Sequence, residues 1–129
     1  MATFMRGYES QTYALLRIVA GFLLLWHGMQ KLVGFPGEMP SGAPAFVIWI
    51  AGPIELIGGL LVMIGFQTRW AAFLCSGLMA FAYWMAHGTQ HPLPLVNRGE
   101  LPVLYCFVFL FIAARGPGIW SVDGSAGRS

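Results

Sequence analysis

Charge is what this sequence has least of. Seven residues are Lys or Arg and five are Asp or Glu, 9% of 129 positions, where soluble globular proteins carry about a quarter. With 57% of the chain hydrophobic, too few polar groups remain to coat a water-facing surface, so an ordinary soluble domain is disfavoured. Cysteine is almost missing as well. Cys75 and Cys106 are the only two, and with no CxxC or CxxCH there is neither a disulfide framework nor a set of clustered ligands for an iron–sulfur centre or attached haem. Cys75 is expected near one face of the membrane and Cys106 early in an oppositely directed helix, an axial offset of about 10 Å that is beyond disulfide reach, so both read as small apolar fillers, with a redox role for either thiol as the alternative. The formal net charge of +2 is too small and scattered for a nucleic-acid partner, and the five tryptophans suit bilayer interfaces better than base stacking. The apolar run after Arg6 is too long for a signal peptide and has no small-x-small cleavage site, so it is read as a retained first span.

What the chain has instead is long apolar stretches. Helices are expected over about 13–33, 45–66, 70–87 and 100–115, each approaching the roughly 20 residues that cross a hydrocarbon core of about 30 Å. They are separated by GFPGEMPSGAP (34–44), QTR (67–69) and HGTQHPLPLVNRG (87–99), and GPG (116–118) ends the last. These segments are polar or rich in the helix breakers Gly and Pro. Pro102 is expected in the first turn of the fourth helix, where a missing N–H is harmless. The fold class is therefore all-α: a four-transmembrane-helix bundle, one membrane domain over 1–129. Arg6, Arg17, Arg69, Arg115 and Arg128 fall on the side of the termini and only Lys31 and Arg98 on the other. The positive-inside rule then puts both termini in the cytoplasm.

The scarce polar residues recur at helical spacing. On the first span Arg17, Gly21, Leu24, His27, Gly28 and Lys31 share one face, which must turn inward because lipid would penalise it. Glu55 lies amid Ala51, Gly52, Gly58 and Gly59, small residues that admit a close neighbour. Tyr83 and His87 share a stripe on the third span, and Glu100 opens the fourth at the same end. The expectation is a polar cavity open to the outer face, lined by Arg17, His27, Lys31, Tyr83, His87 and Glu100 and floored by Glu55. Structural readings compete with it. Lys31 can snorkel, Arg17 can reach the inner headgroups, and His27 can be a hydrogen-bonded packing residue. Glu55 has the fewest alternatives, since a carboxylate at that depth needs Arg17, His27 or Lys31 as partner. His87 and His91 have metal spacing and could join His27, but Gly88 and Pro92 interrupt the helix, so no metal is expected. Asn97 to Glu100, NRGE, reads as a capping box for the fourth helix, with Pro102 awkwardly placed for it.

The fragments LLRIVAGFLLLWHGMQKL, PIELIGGLLVMIGFQTRWAA, NRGELPVLY and GPGIWSVD, in that order, resemble the DoxX family of small bacterial membrane proteins from Leu15 to Asp123. The resemblance implies a four-helix bundle, multi-pass in the bacterial cytoplasmic (inner) membrane. It also draws attention to Arg17, His27, Lys31, Glu55, Arg69, Asn97, Gly99 and Glu100. Some members are linked to thiosulfate oxidation coupled to quinone reduction, others to membrane oxidoreductase complexes that handle thiol stress. The leading expectation is a membrane subunit of an oxidoreductase system that binds a quinone or similar small molecule, with no covalently bound cofactor and no redox centre of its own. Electrons would come from a soluble or membrane oxidoreductase partner or from the substrate. The alternatives are a structural or adaptor subunit docking a partner through the 87–99 loop, and conduction of a small solute or proton. A self-sufficient enzyme is disfavoured because no nucleophile, base and orienting group can be assembled.

Overall fold

The computed structural model describes residues 2–129, and the described residues contain helices and no strand. A 3₁₀ turn, Arg6–Tyr8, leads into α1 (Glu9–Val33), and a π-helical turn, Val47–Ala51, runs into α2 (Gly52–Ile64). Then follow α3 (Thr68–Ala86), the single turn α4 (Pro94–Asn97), α5 (Glu100–Arg115) and the short α6 (Val122–Ser125). The π turn stands directly before Pro53, whose missing N–H cannot serve the carbonyl four residues earlier.

The boundaries follow from backbone chemistry. Gly34 (φ 71°) closes α1 by donating to Gln30 O, and Gly65 (φ 71°) closes α2 on Leu61 O and Val62 O. Both occupy the left-handed C-cap conformation that glycine adopts without penalty. At the start of α5 the structure corrects the capping-box expectation. Gly99 is the N-cap and offers no side chain, while Asn97 belongs to α4 and its Oδ1 accepts the Gly99 N–H at 2.8 Å, closing the turn between the two helices. Pro102 lies in the first turn, whose N–H groups have no helical acceptor in any case.

Helix α1 packs along α2 and α3 along α5, α2 also meets α3, and α1 touches α5 only sparingly. The α1–α2 approach is close because Gly21 lies on the backbone of Gly59 and Met63, and Gly28 on that of Gly52 and Leu56, with no room for a Cβ. Leu24, Val62, Ala72, Met79 and Phe109 fill the interior. The expected axial offset between the cysteines is absent. Cys75 faces Gly58, and Cys106 stands level with Ser76, whose hydroxyl donates to Cys106 O at 2.7 Å. The facing ends of α3 and α5 are therefore not level, and both cysteines fall near the middle of their helices; both thiols are free.

Polarity is inverted relative to a soluble bundle. Arg17 is 0% exposed and Glu55 4%, whereas Phe22, Ile50, Leu60, Phe73, Leu104 and Phe107 all lie on the outside. Two helical stretches, Arg6–Val33 and Val47–Ile64, are long and apolar enough to cross a membrane. Both ends of the described residues lie at one end of the helices, where Arg115 approaches Glu9 and the Arg69 Nε donates to Ser129 O.

Candidate functional site

Near the end opposite the termini, Lys31 in the last turn of α1 brings its Nζ to 2.6 Å from Glu55 Oε2 on α2, with the two side chains 13% and 5% exposed. The glycine contacts create this meeting, because the Gly28–Gly52 approach brings the α1 face of Lys31 onto the α2 face of Glu55. The contact is a close, buried ion pair. One turn before Lys31, the His27 ring meets the ring of Tyr105 on α5 edge-on, centroids 6.1 Å apart at 84°. Neither the imidazole nor the Tyr105 hydroxyl hydrogen-bonds to protein among the described residues. An ammonium has three N–H donors, a neutral imidazole one donor and one acceptor, a phenol one donor. The cluster is thus nearly neutral overall, and the His27 ring and the Tyr105 hydroxyl in it keep hydrogen-bonding capacity that no protein group uses.

The remaining candidates do not join it. Tyr83 and His87 fold the loop between α3 and α5. Asn97, 4% exposed, donates through Nδ2 to the Tyr83 hydroxyl at 2.9 Å and to His91 O at 2.8 Å. His87 Nδ1 lies 2.8 Å from Asn97 O, and the His87 ring stacks on Tyr83 with centroids 6.5 Å apart. His91 Nδ1 accepts from the Leu93 N–H. No group of three or more His, Cys, Asp or Glu suited to a metal occurs among the described residues. Glu100 points outward, over a cleft of about 320 Å³ shared with Pro94, Val103, Leu104 and Phe107.

Arg17 lies at the end of the termini. Its guanidinium donates to Val62 O (3.1 Å), Pro117 O, Ile119 O (3.0 Å) and Trp120 O (2.6 Å). It holds the segment after α5 against α2, so the expected cavity wall resolves into a separate clamp. Tyr13 donates to Gly116 O at 2.5 Å, and Arg69 to Ala113 O (2.9 Å) and Ala114 O (2.6 Å), so the last carbonyls of α5 are met by side chains. Asp123 secures the same segment to the α2–α3 corner. It accepts from the Gln67 N–H (3.1 Å), the Thr68 N–H and hydroxyl (3.0 Å each) and Arg128 Nε (3.2 Å). Burial alone would raise the Asp123 carboxyl, but these donors together hold it below its ordinary value.

Sequence reasoning missed Tyr105, Tyr13 and Asp123. Tyr105, Phe109 and Ile112 are all buried, an i, i+4, i+7 stripe masked by the apolar residues around the rest of α5. Asp123 had a local signal in SVDG, where Ser121 caps α6 by accepting the Gly124 N–H at 3.0 Å.

The DoxX family model matches residues 12–88, which include most of α1, all of α2 and α3 and the His27, Lys31 and Glu55 positions. The chain belongs to the DoxX family. An uncharacterized protein of Haemophilus influenzae is 36% identical over 122 residues, covering 90% of this chain and 91% of the relative. A Bacillus subtilis protein named "Putative oxidoreductase CatD" is 39% identical over 113 residues, 84% of this chain and 82% of the relative. The Escherichia coli inner membrane protein YqjF is 28% identical over 125 residues, 92% and 95% of the two chains. No solved structure matches this DoxX-family chain.

Proposed function

We propose that this DoxX-family protein crosses the bacterial cytoplasmic membrane four times with both termini in the cytoplasm. It serves there as the membrane subunit of an oxidoreductase system, binding a quinone or similar neutral carbonyl compound beside Lys31 and Glu55. Four exposed tryptophans support the membrane reading: Trp49 and Trp84 near one end of the helices, Trp70 and Trp120 near the other, as in interfacial belts. Arg6, Arg17, Arg69, Arg115 and Arg128 gather at the end of the termini, leaving Lys31 and Arg98 for the other. The apolar exterior fits a hydrocarbon solvent, and the name of the E. coli relative agrees.

The observation that carries the ligand reading is the buried Lys31–Glu55 pair with the His27 ring and the Tyr105 hydroxyl, neither hydrogen-bonded to protein among the described residues, beside it. A near-neutral site rich in N–H and O–H groups suits carbonyl oxygens better than a free ion. Converting a quinone to the quinol takes two electrons and two protons. His27 and Lys31 would bear exchangeable protons at the ligand's oxygens, while the electrons come from a partner oxidoreductase. The name of the B. subtilis relative is consistent with such a link. Titration of the purified protein in nanodiscs with a short-tailed quinone tests this. Saturable binding, weakened in His27→Ala and Glu55→Gln, is the expected result; no binding to the unaltered protein would refute it.

One observation favours an adaptor role. Asn97, Tyr83 and His87 fix the 87–99 loop while Leu93, Leu95 and Val96 stand exposed on it, a firm apolar knob on which a partner could seat. In that case Glu55→Gln would destabilise the bundle without altering any quinone titration.

A further inference from the structure

The four long helices form two tight pairs, α1 with α2 and α3 with α5, and of the two seams that join these pairs the one between α1 and α5 is looser than that between α2 and α3. Towards the end of the termini that seam is fastened, by the Tyr13 hydroxyl on Gly116 O and by the Tyr13 ring edge against Phe111, centroids 5.8 Å apart. At mid-height Leu24 and Phe109, both 0% exposed, fill the interior. Towards the other end, the bridge is the His27 ring edge against Tyr105. Behind it lies the Lys31–Glu55 pair. An edge-on aromatic contact has no directional hydrogen bond to break, and its rings can part by rotation about χ1 and χ2.

We propose that Tyr105 is a fourth ligand-binding side chain of the site, and that the outer half of the α1–α5 seam, bridged by His27 and Tyr105, is its lateral entrance from the bilayer. The inference rests on the carbonyl-ligand reading above. The compound entering this way is neutral and lipid-soluble, a ring bearing carbonyl oxygens with an apolar tail that stays among the exposed apolar side chains outside. Once inside, one oxygen takes the Tyr105 hydroxyl proton as a hydrogen bond and another meets Lys31, whose charge remains balanced by Glu55. A free anion or cation would have to cross lipid to use this opening, and nothing at the seam compensates its charge. Tyr105 has no intramolecular hydrogen bond among the described residues, which leaves its hydroxyl free for a ligand and makes its loss nearly silent for folding.

The test is equilibrium and stopped-flow binding of decylubiquinone to the full chain in nanodiscs, with the thermal unfolding midpoint measured alongside. Tyr105→Phe is expected to weaken binding about five- to tenfold, the effect of one hydrogen bond, while moving the midpoint by less than about 2 °C. Tyr105→Trp, with a bulkier ring at the entrance, is expected to slow association several-fold. Tyr83→Phe serves as the contrast: it breaks the bond from Asn97, so the midpoint falls while the affinity stays. If the unaltered protein binds no quinone, the ligand reading and this inference fall together. If it binds and Tyr105→Phe matches it, or Tyr83→Phe weakens binding equally, the assignment of Tyr105 alone is overturned. An unchanged association rate in Tyr105→Trp overturns the entrance.

Discussion

Replacing Arg17 by methionine should loosen the C-terminal segment without touching the Lys31–Glu55 site. The side chain is fully buried and its guanidinium serves four backbone carbonyls, those of Val62, Pro117, Ile119 and Trp120. Methionine fills much of the same volume but satisfies none of them. Inter-helix hydrogen bonds measured in membranes average about 0.6 kcal/mol, so four of them set a floor of about 2.4 kcal/mol. Breaking a buried charged network costs about 3–5 kcal/mol in proteins generally, which sets the ceiling. The expected loss is therefore about 2.5–5 kcal/mol, measured by reversible unfolding in mixed SDS and dodecylmaltoside micelles and followed by circular dichroism. Protease cleavage within 116–129 should accelerate in parallel, because Trp120, held at φ 55°, loses the contact that stabilises its left-handed backbone. Arg17→Lys should fall between, since an ammonium lacks the planar fork that reaches several carbonyls at once. A loss below about 1 kcal/mol with unchanged cleavage would refute the clamp.

Further outcomes can be stated for other parts of the molecule. Lys31→Met and Glu55→Gln should each destabilise by about 2–4 kcal/mol, and the double variant by less than their sum, because the orphaned partner is gone; strict additivity in the double-mutant cycle would remove the ion pair from the account. Gly28→Ala should cost about 1–3 kcal/mol, since the new methyl meets the Leu56 backbone. Gly77→Ala, with open space around it, should be neutral or gain up to about 1 kcal/mol, and equal effects at the two sites would contradict the close α1–α2 approach. Asp123 is held below its ordinary value of 3.8, so its contribution is complete above that pH and is lost as pH falls through the lower folded-state value. Asp123→Asn should flatten stability between pH 5 and 2, and a parallel pH profile would argue against the carboxylate as the link between α6 and α3.

The helices were legible because their ends are written in residues with distinctive backbones: the glycines at 34, 65 and 116 and the prolines around them. The Lys31–Glu55 contact was legible because a carboxylate at that depth has few ways to be satisfied, and Lys31 lies on the inward stripe of α1. The destination of Arg17 was not, since its acceptors are main-chain carbonyls, which every residue carries and no side-chain pattern marks. For the same reason Tyr83 and His87 could be placed at the correct end yet assigned to a cavity, when their partners were Asn97 and the loop's own backbone. Tyr105 stayed hidden because α5 is apolar on every side, leaving no periodicity to distinguish its inner face. The cysteines were misplaced in depth by taking the facing ends of the third and fourth helices as level, whereas the Ser76 hydroxyl on Cys106 O sets the two positions side by side.

The clamp on the last carbonyls also constrains the order in which the molecule can be made. Pro117, Ile119 and Trp120 lie 100 or more positions beyond Arg17, so on the ribosome the guanidinium emerges long before three of its four acceptors exist. Until then Val62 O is the one acceptor of the four within its reach. The segment after α5 thus supplies three of the four acceptors that tie the first helix to its neighbours through Arg17.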